Sequence, residues 1–374
     1  MSNQRITISL SNVFSILLMI VLGLLLWQLK DLLVLVMTAV VLAVTLAPAV
    51  DVLERVRLPR WLSVLTVYLG LTTALVGVGL LIGPSVIQQT ERLINQVPTY
   101  SESLYFWVRD LASRVNAARP DLIAQIVNPQ AITNWVIRSS QQVLLRSVGL
   151  TRGLLGGALS VVLVLLLSAY MVAGSKTLLP GIVQLFPQPW NYRLQEQLPA
   201  VGNRMAGFIQ GRVLVSAILA IVINIGLNLL GMTEVSLALG VIAGVTNLIP
   251  FVGPILGAIP AVVVAVAEGG LIWLWVLLLF VIVQNLEGNI LTPLVVGSSV
   301  KLHPLYMLLA VLAGTQLLGV LGAVIFPSWV AGTAVIVENL YLKPKTIAEA
   351  QSANGALVQP ETAETNQKEK ELIP

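Results

Sequence analysis

The stretch NLIPFVGPILGAIP, residues 247–260, places three prolines and two glycines inside one of the most apolar parts of this chain. A proline inside a helix removes a backbone hydrogen bond and costs about 3 kcal/mol. Broken backbone at membrane depth leaves N–H and C=O groups that need partners, so it occurs only where it is buried in protein or lines a water-filled cavity. The stretch therefore predicts a break at a binding site rather than a plain membrane span.

Composition places the chain in a bilayer. Of its 374 residues, 57% are hydrophobic and 10% are charged, and the mean hydropathy is +0.91. Soluble domains carry about 25% charged residues, so we predict an integral membrane protein. The basic residues behind the net charge of +4 are spread thinly between apolar runs, which indicates orientation in a membrane rather than nucleic-acid binding. The sequence contains no cysteine, which excludes disulfides and thiolate metal ligands.

Eight apolar runs approach or exceed the length of about 20 residues that a bilayer crossing needs. The first run ends without a small-residue cleavage site, so we predict that it stays in the protein as an uncleaved span. The runs predict an all-α integral membrane protein of about eight transmembrane helices, with two segments broken by glycine and proline. The candidate spans are residues 11–29, 32–50, 62–83, 153–174, 208–231, 235–267, 271–296 and 305–337.

The runs divide the chain into four parts. Residues 1–83 form an N-terminal region of three spans, and residues 151–343 form a C-terminal transmembrane core with the broken segments. Between them, residues 84–150 carry apolar side chains at helical spacing and predict a helical extramembrane insertion, in which Pro98 separates two amphipathic helices. This insertion either rests on the membrane interface or packs as a cap without membrane contact. Residues 344–374 are polar and mixed in charge, which predicts a disordered tail.

Lysine and arginine in short loops mark the cytoplasmic side of a membrane protein. The basic loops at 51–61 and 175–207 and the start of the tail at 343–345 fall on one side if the N-terminus is cytoplasmic. The insertion is long enough to be discounted by this rule. We therefore predict a multi-pass protein of the cell (inner or plasma) membrane with both termini in the cytoplasm.

The second broken run, 305–337, contains Gly319, Gly322 and Pro327 near its middle. Residues 241–260 and 311–327 both read V-x-A-G and, further on, L-G-A before a proline, which indicates either an internal repeat or chance in a biased composition. Each broken run either crosses the membrane once or returns to its own side as a re-entrant hairpin. A pair of glycine- and proline-interrupted segments is the sequence feature that points to a transporter binding site.

A carboxylate lies between the two broken runs. Glu287 ends an apolar run together with Gln284, Asn285 and Asn289, and Pro293 follows. A charged group at bilayer depth costs several kcal/mol, so it normally faces a cavity or a partner. On a helix Gln284 and Glu287 share a face, which makes them candidates for one substrate or ion pathway. In the alternative interpretation, Glu287 caps a helix end at the level of the lipid headgroups.

Several weaker candidates remain. Asn247 precedes the prolines and is placed either to bond freed carbonyls or to contact a ligand. His303, the single histidine of the sequence, either senses pH or lies in an interfacial turn. Gly319, Gly322 and Pro327 are candidates only through the second break.

Three stretches resemble the autoinducer-2 exporter family of permeases. They are NLIPFVGPILGAIPA at 247–261, QNLEGNILTPLVVGSSVKLHPL at 284–305 and VVLAVTLAPAVDVLERVRLPRWLSVL at 40–65, and the likeness covers about residues 10–340. It implies an all-helical transporter of about eight spans with an insertion after the third. Members resemble exporters of the signalling molecule autoinducer-2, and some are implicated in sodium–proton antiport. The resemblance implies pathway roles for Asn247, Pro250, Gly253, Pro254, Gly257, Pro260, Gln284, Glu287, Asn289 and Pro293.

The sequence leaves three functions open. The first is a secondary transporter that exports a small polar solute, with Glu287 binding a coupling cation or proton. The second is a sodium–proton antiporter or channel of the same architecture, and the third is a membrane scaffold without transport. An enzyme is not expected, because Walker A, H-E-x-x-H and G-x-S-x-G motifs are absent from the sequence. We expect no cofactor and no metal; the expected partners are the lipid bilayer and a small-molecule or ion substrate, and apolar span faces are compatible with a homo-oligomer.

Overall fold

The computed structural model describes residues 17, 19, 21, 25, 28–114, 150–295, 303–346 and 349–350. All regular structure in these residues is helical. Five of the described helices are long and apolar enough to cross a membrane, and a sixth span results if the helices Leu159–Ala173 and Ser175–Val183, which meet at 82°, are one crossing. The prediction of an all-α membrane protein is confirmed. Most of the first predicted span lies outside the described residues.

Within each described stretch of the chain the helices follow one another with short connections. Two π-helical turns, over Glu287–Leu291 and Glu338–Leu342, extend the ends of longer helices. The α-helices are α1 Lys30–Arg55, α2 Arg60–Arg114, α3 Leu150–Ala173, α4 Ser175–Val183, α5 Trp190–Leu229, α6 Ser236–Asn247, α7 Val252–Glu268, α8 Ile272–Leu286, α9 Thr292–Val295 and α10 Pro304–Val337.

Helix α2 corrects one prediction about the insertion. It is a single helix of 55 residues that passes through both Pro84 and Pro98, so the predicted separation of two helices at Pro98 is wrong. Leu93 and Tyr100, on either side of that proline, are buried in the same hydrophobic core as α5, α6 and α7. This shared packing favours one continuous helix over a break, because tertiary burial outweighs a single lost hydrogen bond. The rest of the predicted insertion, 115–149, lies outside the described residues.

The first broken run folds into a helical hairpin. Helices α6 and α7 are joined by residues 248–251, and Phe251 adopts a positive φ of 63° in this turn. The two arms touch so closely that a Cβ on Gly257 would lie 2.7 Å from the Cα of Ala243. The run is therefore not one long span, and residues 236–268 are named hairpin 1.

The second broken run also reverses. Gly319 interrupts α10 with φ 66° and ψ −151°, a conformation that is essentially restricted to glycine. In a straight helix, residues eight apart are separated by about 12 Å. A Cβ on Gly314 would nevertheless lie 2.7 Å from the carbonyl carbon of Gly322. The chain therefore turns back at Gly319, and residues 304–337 are named hairpin 2.

The two hairpins approach the central helix α5 from opposite ends. At the base of hairpin 1, Asn228 Nδ2 donates to Ser236 Oγ at 2.7 Å. Arg204 at the other end of α5 pairs with Glu338, at the base of hairpin 2, at 3.2 Å. Arg204 and Asn228 are about 36 Å apart along a straight helix, which exceeds the bilayer core of about 30 Å. Each broken run therefore folds back on itself as a hairpin, which is the arrangement of a re-entrant segment rather than of a single helical crossing.

Small residues allow hairpin 1 to lie against α5. A Cβ on Gly240 would lie 2.8 Å from the carbonyl oxygen of Ala220, and one on Gly244 would lie 2.9 Å from that of Ser216. Glycines at such crossings let helix backbones approach closely in membranes. Leu227 on α5 and Leu239 on α6 are fully buried at this interface.

Two basic side chains meet at Glu54, near the end of α1. Arg60 donates to Glu54 at 2.7 Å and to the carbonyl oxygen of Val172 at 3.0 Å. Lys176 donates to the same Glu54 at 2.6 Å. The helical path at the C-terminus continues from Pro304 to Thr346, so the first residues of the predicted disordered tail are helical. Residues 351–374 lie outside the described residues.

Candidate functional site

A buried ion pair lies where hairpin 1 meets α5. Arg212 Nη1 on α5 donates to Glu287 Oε1 at 2.7 Å, and the two side chains are 12% and 5% exposed. Arg212 follows Arg204 by eight residues and so lies about 12 Å further along α5 from the base of hairpin 2. An ion pair at this depth replaces water with protein partners, which charged groups in a bilayer require.

Hairpin 1 adds an amide to this pair. Asn247, the last residue of α6, is 2% exposed, and its Oδ1 lies 3.4 Å from the donating Nη2 of Arg212. Helix α6, which packs along α5, brings this side chain to the pair, and the chain reverses immediately after it. Ser216, one turn beyond Arg212 on α5, is also buried. We name Arg212, Ser216, Asn247 and Glu287 the polar cluster.

The polar cluster is only half satisfied by the protein. In the described part of the chain, five buried side-chain polar atoms have no hydrogen-bond partner, and four of them belong to these residues. They are Arg212 Nε, Ser216 Oγ, Asn247 Nδ2 and Glu287 Oε2. A buried polar group without a partner costs about 1–3 kcal/mol, so such a concentration in one place makes the polar cluster the candidate site.

The backbone at the polar cluster departs from the α-helix on two sides. Glu287 begins the π-helical turn that follows α8, and single π-helical turns occur frequently at functional sites. Asn247 is followed by the turn of hairpin 1, in which Val252 donates its backbone N–H to the carbonyl of Pro250 at 2.7 Å. Both irregular segments are packed against α5, which satisfies the requirement for broken backbone at membrane depth.

The structure separates the sequence candidates into groups. Asn247 and Glu287 meet at Arg212. Gln284, expected on the same face as Glu287, is exposed, because three residues of α-helix fall about 60° short of a full turn. The remaining exposed candidates beside Glu287 are Asn285, Asn289 and Pro293.

The candidates of hairpin 1 shape its turn and the contact between its arms. Pro250, Gly253 and Gly257 are buried, and Pro254 and Pro260 are half-buried. A Cβ on Gly253 would lie 2.8 Å from the Cα of Asn247, so this glycine lets α7 start directly beside the amide of the polar cluster.

The weaker candidates lie in hairpin 2. Gly319 makes its reversal, Gly322 its closest contact, and Pro327 is buried in the second arm. His303 Nδ1 accepts the backbone N–H of Leu305 at 3.3 Å and thus caps α10. The structure places none of these four at the polar cluster.

Sequence reasoning missed Arg212 and Ser216. Arg212 is the single charged residue of the predicted span 208–231, and the rule that singled out Glu287 applies to it equally. That rule identifies Arg212 as buried and paired. It does not identify the partner, because Glu287 is 75 residues away in the chain.

The described residues contain no group of three His, Cys, Asp or Glu side chains that could hold a metal ion. The polar cluster instead offers two nitrogen donors, one carboxylate oxygen and one hydroxyl, around a pair whose charges cancel. It lies between re-entrant hairpin 1 and a spanning helix, which is the construction by which secondary transporters hold their substrates. Fold and site are those of a membrane protein with a buried polar site, an arrangement that is compatible with a membrane transporter.

Comparison with known proteins identifies the family. The model of the AI-2E family transporter matches residues 14–341, and the chain belongs to this family. It is 31% identical over 299 residues to "Putative transport protein YrrI" of Bacillus subtilis, which covers 78% of this chain and 80% of the relative. It is 27% identical over 282 residues to "Putative transport protein YueF" of the same organism, covering 74% and 76%. A third relative, "Putative transport protein MT0215" of Mycobacterium tuberculosis, is 26% identical over 298 residues, and the match covers 78% of each of the two chains.

Proposed function

We propose that this chain exports a small polar solute by secondary transport and that the polar cluster is its substrate site. The observation that carries the proposal is the set of four unpartnered polar atoms around the buried pair of Arg212 and Glu287. Membership of a transporter family supports the coarser part of the proposal. The class of cargo and the coupling are proposed from the chemistry of the site, and the direction from the resemblance to exporters.

The free atoms define the kind of solute that fits. Arg212 Nε and Asn247 Nδ2 donate hydrogen bonds, Glu287 Oε2 accepts them, and Ser216 Oγ does both. The charges of Arg212 and Glu287 already balance each other at 2.7 Å. A neutral solute that carries several hydroxyl or carbonyl oxygens therefore matches the site better than an ion. The signalling molecule from which the family takes its name is the first to test.

Glu287 is the proposed coupling group. When a proton or sodium ion binds its carboxylate, the attraction to Arg212 weakens, and a buried guanidinium without its counter-ion is strongly unfavourable. Solute and coupling ion then change the same pair of side chains, which links their binding free energies. The tip of hairpin 1 is the adjacent element whose displacement would open the cluster.

We also propose that both termini are cytoplasmic. Arg204 lies at the end of α5 from which hairpin 2 enters, and Lys343 lies near Glu338 at the base of this hairpin. Basic residues mark the cytoplasmic side. A fluorescent reporter fused to the C-terminus in intact cells should be protected from an external protease, and its digestion would contradict this orientation.

The test of function uses the full chain in proteoliposomes. Hydroxylated neutral solutes, including autoinducer-2, are loaded inside, and efflux is measured under imposed proton or sodium gradients. We expect gradient-dependent efflux of at least one solute, with none from vesicles that contain the variant Arg212→Met/Glu287→Leu.

The pattern of flux separates the alternatives. Sodium–proton exchange without movement of any solute would favour the antiporter, and current without a gradient requirement would favour a channel. Absence of every flux in correctly folded protein would favour the scaffold.

A further inference from the structure

A cavity lies between the arms of hairpin 2, apart from the polar cluster. Its volume is about 870 Å³, and ten of the fifteen residues that line it are apolar. The arms touch at Gly314 and Gly322 near the turn and separate towards the base of the hairpin. The lining side chains follow helical spacing on both arms, as in Tyr306, Leu309 and Ala313 on the first and Phe326, Val330 and Val337 on the second. We name this space the hairpin 2 groove.

The residues of the groove with charged or imidazole side chains gather at its base. Arg204, His303 and Glu338 line it, and all three lie at the open end, because the chain enters hairpin 2 at residue 303 and leaves it at 338. Arg204 lies 3.2 Å and Lys343 lies 3.9 Å from Glu338. Two cations therefore surround one carboxylate, which leaves an excess of positive charge at the base.

This distribution of charge and apolar surface does not suit the solute of the polar cluster. A small polar molecule would leave most of the apolar wall without a favourable partner, and water in the groove would have few hydrogen-bond partners. An amphiphile with a long apolar part and an anionic head matches both ends. Basic pockets between membrane helices on the cytoplasmic side bind anionic lipid headgroups, and the volume lies within the range of ligand sites.

We propose that the hairpin 2 groove binds one anionic phospholipid of the surrounding bilayer. One acyl chain lies between the arms of the hairpin, and the phosphate contacts Arg204 and Lys343. Tyr306 and Val337 at the mouth of the groove are 57% and 46% exposed, so the groove is open at its surface to an entering acyl chain. The lipid then holds apart two arms that otherwise touch only near their turn, and thereby keeps the base of hairpin 2 in place.

The experiment measures lipid binding to the full chain in a neutral detergent by native mass spectrometry. The probes are dioleoylphosphatidylglycerol, which is anionic, and dioleoylphosphatidylcholine, which has the same chains and no net charge. We expect one phosphatidylglycerol to remain bound at concentrations at which phosphatidylcholine is lost. Inorganic phosphate at the same concentration should not displace it, because the acyl chain contributes most of the apolar contact.

Two variants should shift this affinity in opposite directions. Arg204→Gln removes one cation and should weaken phosphatidylglycerol binding about fivefold, which is the contribution of one basic residue near an anionic headgroup. Glu338→Gln removes the competing carboxylate and should strengthen binding. A variant that merely damaged the fold would weaken lipid binding. Stronger binding by Glu338→Gln therefore distinguishes recognition of charge from loss of structure. Lys345→Gln is the matched control, because Lys345 lies two residues beyond Lys343, pairs with Glu349 and does not line the groove.

A variant that fills the groove tests its apolar part. Ala313→Phe places a ring among the lining residues and should reduce the retention of both lipids, while gel filtration shows that the protein remains monodisperse. Equal binding of the two lipids with no effect of Arg204→Gln or Glu338→Gln would overturn the proposal. A disulfide between two copies through Thr333→Cys would also overturn it, since a second chain would then cover the groove. Either result leaves the substrate site proposed at the polar cluster untouched.

Discussion

Hairpin 1 and hairpin 2 are built alike and differ in what they bring to α5. Both reverse at a residue with positive φ, Phe251 in one and Gly319 in the other, and both pack their arms at an L-G-A glycine. The tip of hairpin 1 carries a buried amide that contacts a buried ion pair. The tip of hairpin 2 is exposed and apolar, with Leu317 61% and Val320 72% accessible.

This comparison separates architecture from chemistry. Glycine at the arm contact and a reversal at the tip are sufficient for a re-entrant hairpin, and both broken runs meet that requirement. The tip of hairpin 1 in addition contacts a charged residue of α5, Arg212, whereas the charged partner of hairpin 2 on α5, Arg204, lies at the base of that hairpin. The resemblance of the two sequences therefore extends to the fold of the hairpins and ends at the polar cluster.

The largest expected effect is on the ion pair beside hairpin 1. Arg212→Met leaves Glu287 buried without its partner and should reduce the free energy of unfolding by about 3–5 kcal/mol. Adding Glu287→Leu in the same chain should recover most of that loss, since apolar residues of similar volume replace a buried pair at little cost. Denaturation in detergent measures both. A single variant as stable as the wild type would show that the pair is not buried as described.

The reversal of hairpin 2 is tested by Gly319→Ala. Alanine does not adopt the conformation of this residue without strain, so we expect the free energy of unfolding to fall by about 1–3 kcal/mol. The matched control is Gly79→Ala within α2, where a Cβ would meet no atom within 4 Å and a gain in helix propensity is expected. If both variants were stabilised alike, residues 304–337 would form one continuous helix.

A smaller effect is expected where α2 holds the base of hairpin 1. The backbone N–H of Ala238, near the start of hairpin 1, donates to Gln89 Oε1 of α2 at 2.9 Å. Gln89→Ala should cost about 1 kcal/mol of stability, whereas the exposed neighbour in Gln88→Ala should change it by less than about 0.5 kcal/mol. Equal effects of the two substitutions would mean that α2 does not position hairpin 1.

The smallest effect concerns the ion pair between Lys176 and Glu54. Lys176 Nζ donates to Glu54 Oε1 at 2.6 Å, and the two side chains are 67% and 30% exposed. Ion pairs with solvent-exposed partners contribute about 0–1 kcal/mol, so Lys176→Met should lower the free energy of unfolding by no more than about 1 kcal/mol. Denaturation in detergent measures the difference, and a loss of several kcal/mol would contradict this assignment.

Local rules predicted the elements of the site better than its partners. The position of Glu287 in an apolar run predicts a functional site, because a buried carboxylate in a membrane needs a partner or a cavity. The prolines and glycines of 247–260 predict a break in the helix. Arg212 satisfies the same rule and was overlooked. That these two side chains meet follows from the packing of hairpin 1 and the π-helical turn against α5, which no spacing along the chain expresses.

The errors of prediction have physical causes. Pro98 predicted a helix end, but the burial of Leu93 and Tyr100 on one core keeps α2 continuous across it. Gln284 was grouped with Glu287 by helical spacing, although 60° of rotation is enough to place one side chain in the protein and the other outside. The reversal of the second broken run depends on the backbone conformation of Gly319 and on the contact of Gly314 with Gly322. Neither the conformation nor the contact can be read from the sequence.

The central claim is that Glu287 couples an ion to solute movement at the polar cluster. The most direct measurement compares gradient-driven efflux from proteoliposomes that contain wild type, Glu287→Gln or Glu268→Gln at equal, monodisperse loading. Glu268 is an exposed carboxylate at the base of hairpin 1, so its substitution controls for the loss of one negative charge. We predict that Glu287→Gln abolishes the dependence of efflux on the gradient, while Glu268→Gln keeps it. Gradient-driven efflux that is unchanged in Glu287→Gln would contradict the account.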